Sequence, residues 1–347
     1  MSILKGKASL SQFKIDGGAA MLDAAEYYQK IKAYAFRDLG LESKDENIGW
    51  TSIDNARDGK FLGDLTDGSQ YRLFAMRIDR RTIPAAIVRM RCLEEEEKKL
   101  AETGQKRLYR EQRTAIRESV MIGLEHAIPP IPHIYEIIWD VEEGIVYFGS
   151  LSIPAIDTFV GFFMKTFNLI LRPSSDISNN IGDQYMRREF LTWLWFKAEE
   201  RDGIIYPSGL DPIAVFFVRR IALVAGEGEY LEQVVCQGEH ADLKEGMEAL
   251  RQGKMVIEAR IRANREGDEF EFTTRANGYQ YQGMKTPPSQ GDDPEDKTGM
   301  ALVRIHLIRQ ATGTMECLYR QYMKMRKSDE WPAEKARMSQ WVERTAE

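Results

Sequence analysis

Lys106, Arg110, Arg113 and Arg117 recur at spacings of 4, 3 and 4. On a helix turning 100° per residue, that spacing holds the four cationic ends within roughly 60° of one another. The stripe would be about 16 Å long at 1.5 Å per residue. Phosphate oxygens suit such a row, because the forked donor of Arg grips two of them at once. The surrounding segment 77–117 holds twelve basic and seven acidic residues, a local net of +5 (12 − 7). Arg89 and Arg107 belong to this segment, and Arg260-Ile-Arg262 is a second basic group in a strand. The candidate nucleic-acid contacts are therefore Arg89, Lys106, Arg107, Arg110, Arg113, Arg117, Arg260 and Arg262.

The residues alone leave other readings open. A solvated helix stabilised by its own ion pairs would look similar, with Glu111 and Glu118 neutralising part of the stripe. So would an interaction surface for an acidic protein. Acid-x-Lys triplets at Asp242-Leu-Lys244 and Glu295-Asp-Lys297 keep a metal-dependent nuclease, or a nuclease-associated factor, as an alternative. In a chain this acidic, however, such triplets arise by chance.

Most other chemistries lack their residues. There is no GxxxxGK[ST], no HExxH, no GxSxG and no cysteine/histidine cluster with zinc spacing. Gly226-Glu-Gly228 lacks the third glycine of a dinucleotide fingerprint. His126 and His133 flank a proline run and read as polar caps around a buried turn. No catalytic residue, metal or cofactor is expected.

The full chain of 347 residues carries 48 basic and 54 acidic side chains, a net of −6, which excludes a histone-like polycation. Its acidic excess is concentrated at 42–67 and 227–248. Cys92, Cys236 and Cys317 form no CxxC and suit a reducing compartment. Asp157 and Lys165 interrupt one apolar window, and Arg219 and Arg220 interrupt the other, short of the roughly 18 uncharged residues of a membrane span. The first seven residues hold no apolar stretch of a signal peptide. The expectation is a cytoplasmic protein without a membrane partner.

The elements that must position the stripe follow from periodicity. Residues 8–15 alternate as a strand, and a helix is predicted over 20–39 with Met21, Ala24, Tyr28, Ile31 and Ala35 on one face. Gly49-Trp50 marks a short packed element, and 71–77 a strand. Two long helices, 84–102 and 106–124, are expected to join at Gly104, with Leu108, Ala115 and Ile122 as an apolar seam opposite the arginines. The run Ile128-Pro-Pro-Ile-Pro132 ends the second helix. Strands at 134–140 and 144–151 precede a Phe-rich helix at 156–171 and a Trp-rich helix at 186–199. Beyond these come a strand from 213, a helix at 241–252, a meander over 255–263, 269–274 and 278–284, a loop at 286–298, and a closing helix or helix pair at 300–327. The class is α+β: antiparallel sheets with packed helices and a long helical hairpin. The division expected is a central α+β subdomain (1–75 and 134–172), the hairpin arm (76–133), a C-terminal α+β subdomain (173–327) and a polar extension (328–347).

The order of these pieces resembles the bacterial recombination-associated protein RdgC family. The resemblance runs through Ile83-Pro-Ala-Ala-Ile-Val-Arg89, the charged hairpin, Ile137-Ile-Trp-Asp140, Val146-Tyr-Phe148 and Leu171-Arg-Pro173. It continues through Phe190-Leu-Thr-Trp-Leu194 to Leu250-Arg-Gln-Gly-Lys-Met-Val256. It implies a ring-like homodimer that encircles duplex DNA without sequence preference and restrains RecA-driven strand exchange at the nucleoid. The linker Ala127-Ile-Pro-Pro-Ile-Pro132, the loop at 172–189 and the C-terminal extension depart from the family pattern.

Overall fold

Most strands of this chain follow from period-two alternation, and the helices packed on them from an apolar stripe. A computed structural model describes residues 2–17, 23–38, 46–61, 70–174, 181–200, 203–207, 211–225, 232–238, 244–288 and 296–344. The chain divides into two compact units. One comprises Met1–Leu22, Leu65–Leu73 and Glu136–Glu347, and the other Asp23–Asp64 and Phe74–Tyr135. This differs from the division read from the sequence: residues 23–64 group with the hairpin segment, and the rest of the central piece groups with the C-terminal one.

The larger unit is built on antiparallel strands. β1 (Ala8–Ile15) lies between β5 (Ile145–Phe148) and β12 (Gln280–Lys285). The order then runs through β11 (Asp268–Arg275), β10 (Met255–Arg265), β8 (Ile213–Ala225) and β7 (Ile204–Ile205). Residues 137–140 of β4 (Ile131–Asp140) pair with β5, β6 (Leu171–Pro173) pairs with the end of β1, and β9 (Glu232–Gln237) pairs with β8. The expected meander over 255–284 is β10-β11-β12.

Two helices cover opposite faces of the inner strands. α4 (Ile153–Phe167) brings Phe159 against Phe13 of β1 and flat onto Phe148 of β5, with ring centroids 4.2 Å apart. Phe163 and Phe167 meet Trp139 of β4 edge-on. The neighbouring residues point the other way, toward α7 (Lys297–Arg326). Gln12 donates to Glu316 at 2.9 Å, and the Tyr147 hydroxyl lies 3.2 Å from that of Thr312. Burial from both sides explains why β1 is almost wholly buried despite Ser11 and Gln12. α5 (Ile181–Glu200) lies on the β8–β10 end, where Trp195 stacks on Phe217, and α6 (Lys244–Arg251) brings Gly246 against Trp195.

The last residues are not a polar tail. They form α8 (Trp331–Arg344), in which Trp331 meets Tyr322 edge-on and Trp341 packs on Trp195 and Phe196. The tryptophans are the anchors, and the charges between them find partners. Glu334 is buried, accepts from Trp193 Nε1 at 2.9 Å, lies 3.0 Å from Lys197 Nζ, and also pairs with Arg337.

In the smaller unit, α1 (Ala24–Ala33) is shorter than the predicted 20–39; Met21 and Leu39 lie outside the described residues. Its buried face is Tyr27 and Ile31. The chain leaves the helix at Tyr34, so Ala35 bridges Trp50 in parallel fashion instead of extending the helical face. β2 (Glu46–Ser52) and β3 (Tyr71–Arg80) pair antiparallel, with Trp50 and Phe74 edge-to-face at 5.2 Å. Gly49 is required there, because an added Cβ would sit 2.3 Å from the Phe36 Cα. α2 (Ala85–Thr103) and α3 (Arg110–Ala127) form the predicted hairpin. No helix among the described residues is long and apolar enough to cross a membrane.

Burial pushes the Glu334 carboxyl up, but hydrogen bonds from Lys197 and Trp193 outweigh it and leave the group below its usual range. A depressed folded-state pKa stabilises above the unfolded value, about 4.3, and that stabilisation is lost as pH falls through the folded value. Glu334→Gln should therefore lower the melting temperature at pH 7 while removing part of the acid-limb slope. Melting curves from pH 7 down to pH 3 test this, and parallel wild-type and variant curves would refute it.

Candidate nucleic-acid interface

The hairpin is shaped by its ends. Pro84, extended, opens α2, and Gly104 closes it with a left-handed φ of +63°. The connection is longer than predicted. Tyr109 is extended, its N–H donates to the Gln112 Oε1 at 2.9 Å, and the second helix starts at Arg110, four residues beyond the expected 106. Lys106 and Arg107 thus lie in the connection, and the four-residue helical stripe is shortened to Arg110, Arg113 and Arg117. Those three span seven residue-to-residue steps, about 10 Å along the axis.

The apolar seam also differs from expectation. Leu108 is buried in the connection, but Ala115 and Ile122 are exposed. The half-buried row on α3 is Ile116, Val120 and Leu124, adjacent to the arginines and not opposite them. Consequently the arginine face borders the groove shared with α2. His126 and His133 are exposed and cap no buried turn.

That groove encloses about 720 Å³ and is bordered by Arg89, Arg107, Arg110, Arg113 and Arg117. Val88, Leu108 and Met121 supply apolar floor, and Glu96 is the one carboxylate in the lining. Five cations against one anion leave the lining at +4 (5 − 1). Arg113 Nε lies 3.5 Å from Glu96. Among the described residues no carboxylate pairs with Arg89, Arg107, Arg110 or Arg117. Three other acids of α2 pair locally, Glu94 with Arg91, Glu95 with Lys98 and Glu102 with Lys99. Exposed pairs of this kind are screened by solvent, so they shape the field more than they hold the fold. The structure therefore brings five of the eight predicted contacts to one groove. Lys106 is on the connection beside it and does not line it.

Arg260 and Arg262 lie in the larger unit, on β10. Arg260 is mostly buried and engaged: its Nε donates to Glu271 at 2.8 Å and its Nη1 to the Thr273 hydroxyl at 3.2 Å. Arg262 is freer, 3.8 and 3.9 Å from Glu269 and Glu271. Glu258 is held in turn between Arg220 at 2.7 Å and Arg275 at 3.0 Å. Burial pushes both Glu258 and Glu271 up, yet the hydrogen bonds from Arg220 and Arg275, and from Arg260 and Lys285, bring both below the usual carboxylate range.

The sequence reading missed the cations that join Arg260 on this face: Lys7, Arg219, Arg220, Arg275 and Lys285 border an open groove with it. Strict alternation would turn Arg219 and Arg220 to opposite sides of β8. Instead, β10 advances two residues, Ala259 to Ile261, while β8 advances four, Ile221 to Phe217. Arg219 takes a φ of +62° in this irregularity, and both arginines reach the groove. The available signal was two arginines in the middle of an apolar strand.

Asp242 and Glu295, the acids of the nuclease reading, lie outside the described residues. Among the described residues no three His, Cys, Asp or Glu side chains converge as a metal site. No protein-family model matches this sequence, and it has no significant match among curated proteins.

α3 has no fully buried side chain and α2 has only Val88, so the hairpin is held by little apolar burial. Amides of α2 and α3 should exchange with deuterium faster than those of α7, and Leu108→Ala, at about 2 kcal/mol, should widen the gap. Mass-spectrometric exchange measures both; equal protection in the hairpin and α7 would contradict the argument.

Proposed function

We propose that this chain binds duplex DNA without sequence preference through the arginine groove of its helical hairpin, as a homodimer that limits recombinase access to DNA. The observation that carries the reading is the groove itself, where five arginines meet one carboxylate and four of the five have no acidic partner among the described residues. A protein that only solvates its helices has no need to gather unpaired like charges, since their repulsion is unfavourable without a counter-charge. The three helical arginines cover about 10 Å, on the order of three phosphates of one strand. Guanidinium contacts to backbone phosphate oxygens carry no base information, which suits binding without sequence preference.

The resemblance to the RdgC family supplies the finer parts of the proposal: a ring-like dimer, RecA as the recombinase, and location at the nucleoid. The basic face around Arg219, Arg220 and Arg260 would be a second contact with the same polyanion. For the dimer, Ile87, Met90 and Leu93 recur every three residues along α2 and are all exposed. A second copy is the occupant this reading assigns to them.

In gel-shift titrations, duplexes of unrelated sequence should bind alike, with affinity falling steeply as salt rises. Arg110→Glu with Arg113→Glu should weaken all of them equally and flatten the log–log salt slope by about 1–2. Unchanged affinity and slope would remove the hairpin from the interface, and no binding even at low salt would leave the groove to an acidic protein. Met90→Glu with Leu93→Glu should shift the mass measured by light scattering from two chains to one; an unaltered dimer would place its interface elsewhere.

A further inference from the structure

A separate cleft of about 470 Å³ opens in the larger unit between the first half of α5, the second half of α7 and the strands beneath them. Its volume is that of a small-molecule site. Its floor includes Thr274 of β11 and Tyr281 of β12, which face each other across the strand pair. Both are buried, Tyr281 to 1% exposure and Thr274 to 3%, and neither hydroxyl hydrogen-bonds to a described residue. Both hydroxyls line the cleft with their hydrogen-bonding capacity open, and a pair of them side by side suits an occupant with polar edges.

The walls are cationic and aromatic. Arg187 is buried with its guanidinium 3.5 Å from the ring centroid of Tyr319, and Phe190 meets the same ring edge-on at 5.2 Å. Met315 and Met323 add adaptable apolar surface. At the rim stand Arg320 and Lys327, both exposed, along with Lys14 and Arg275, which are paired with Glu316 and Glu258. The lining therefore holds five cations (Lys14, Arg187, Arg275, Arg320 and Lys327) against one carboxylate, Glu316. An occupant must combine negative charge, a flat apolar body and hydrogen-bonding edges. A nucleobase carrying a phosphate has all three.

We propose that this cleft binds a nucleoside phosphate, with its base lodged between α5 and α7 over the Thr274 and Tyr281 hydroxyls and its phosphate on Arg320 and Lys327. The same chemistry is offered by a free mononucleotide and by the phosphorylated end of a DNA strand. The inference does not depend on the hairpin, since every residue it uses belongs to the larger unit.

Isothermal titration of the full chain tests it with a deoxynucleoside 5′-monophosphate, inorganic phosphate, the deoxynucleoside, and a short 5′-phosphorylated single strand. Each titration is repeated with Arg110→Glu/Arg113→Glu protein, so that loss of the hairpin interface does not obscure the result. The monophosphate should bind at least about tenfold more tightly than either of its fragments. Arg320→Glu with Lys327→Glu should weaken it by more than about tenfold, and Thr274→Val with Tyr281→Phe by several-fold with the melting temperature retained. Tighter binding of the strand than of the free monophosphate would identify the strand end as the source, and the reverse order the free nucleotide. Inorganic phosphate binding as well as the nucleotide, or no nucleotide binding at millimolar concentration, would overturn the proposal.

Discussion

Aromatic packing on α4 is the constraint that most of the larger unit depends on. Phe159, Phe163 and Phe167 repeat every four residues and therefore form one row, and that row meets Trp139, Phe148 and Phe13 from three strands. Burying side chains of this size is worth about 1.5–3 kcal/mol each, with a further 0.5–1.5 kcal/mol for favourable ring pairs. Because strand residues alternate, fixing Phe13 and Phe148 toward α4 also fixes Gln12 and Tyr147 toward α7. A one-residue slip would exchange the two sets and bury Gln12 in the aromatic layer, so the register is determined by the rings.

The hairpin obeys a different balance. With Val88 and Leu108 as its buried apolar side chains, it has little burial with which to offset the repulsion of gathered cations. It tolerates them because the guanidinium groups stay in water, where a pair of charges at 4 Å costs about 1 kcal/mol and not several. A packed core could not have carried five arginines, four of them without an acidic partner among the described residues. The same exposure that keeps the hairpin loosely held leaves its cations accessible to a polyanion.

The sequence shows most of the fold and part of the site, and the boundary between the two has physical causes. Strong periodicity was sufficient for β1, the β10–β12 meander, α7 and the aromatic rows, where burial and pattern agree. Capping was harder to read. Gly104 marked the end of α2 correctly, but the start of α3 depends on Tyr109 and Gln112, a pair with no apolar signature. Lys106 left the stripe for that reason. The C-terminal residues have the composition of a polar tail, whereas two tryptophans and a buried Glu334 dock them. The second basic face was hidden more deeply, since it needs a strand irregularity at Arg219 that alternation argues against.

A chain with a net charge of −6 is a poor first candidate for holding a polyanion, and the geometry explains how that objection loses force. Beyond about 8–10 Å, surface charges are largely screened at physiological ionic strength. A phosphate at the arginine groove therefore responds first to the charges within that distance, the five cations and one carboxylate of the lining and the neighbouring Glu111 and Glu118. Distant acidity still has an effect at low salt, where the screening length grows to about 30 Å at 0.01 M and the whole-chain field opposes approach. Net charge and local charge then act on different quantities: the first on encounter at long range, the second on the bound state. Averaging the two conceals the asymmetry that would let an acidic protein hold DNA by one face and keep the rest of its surface away from it.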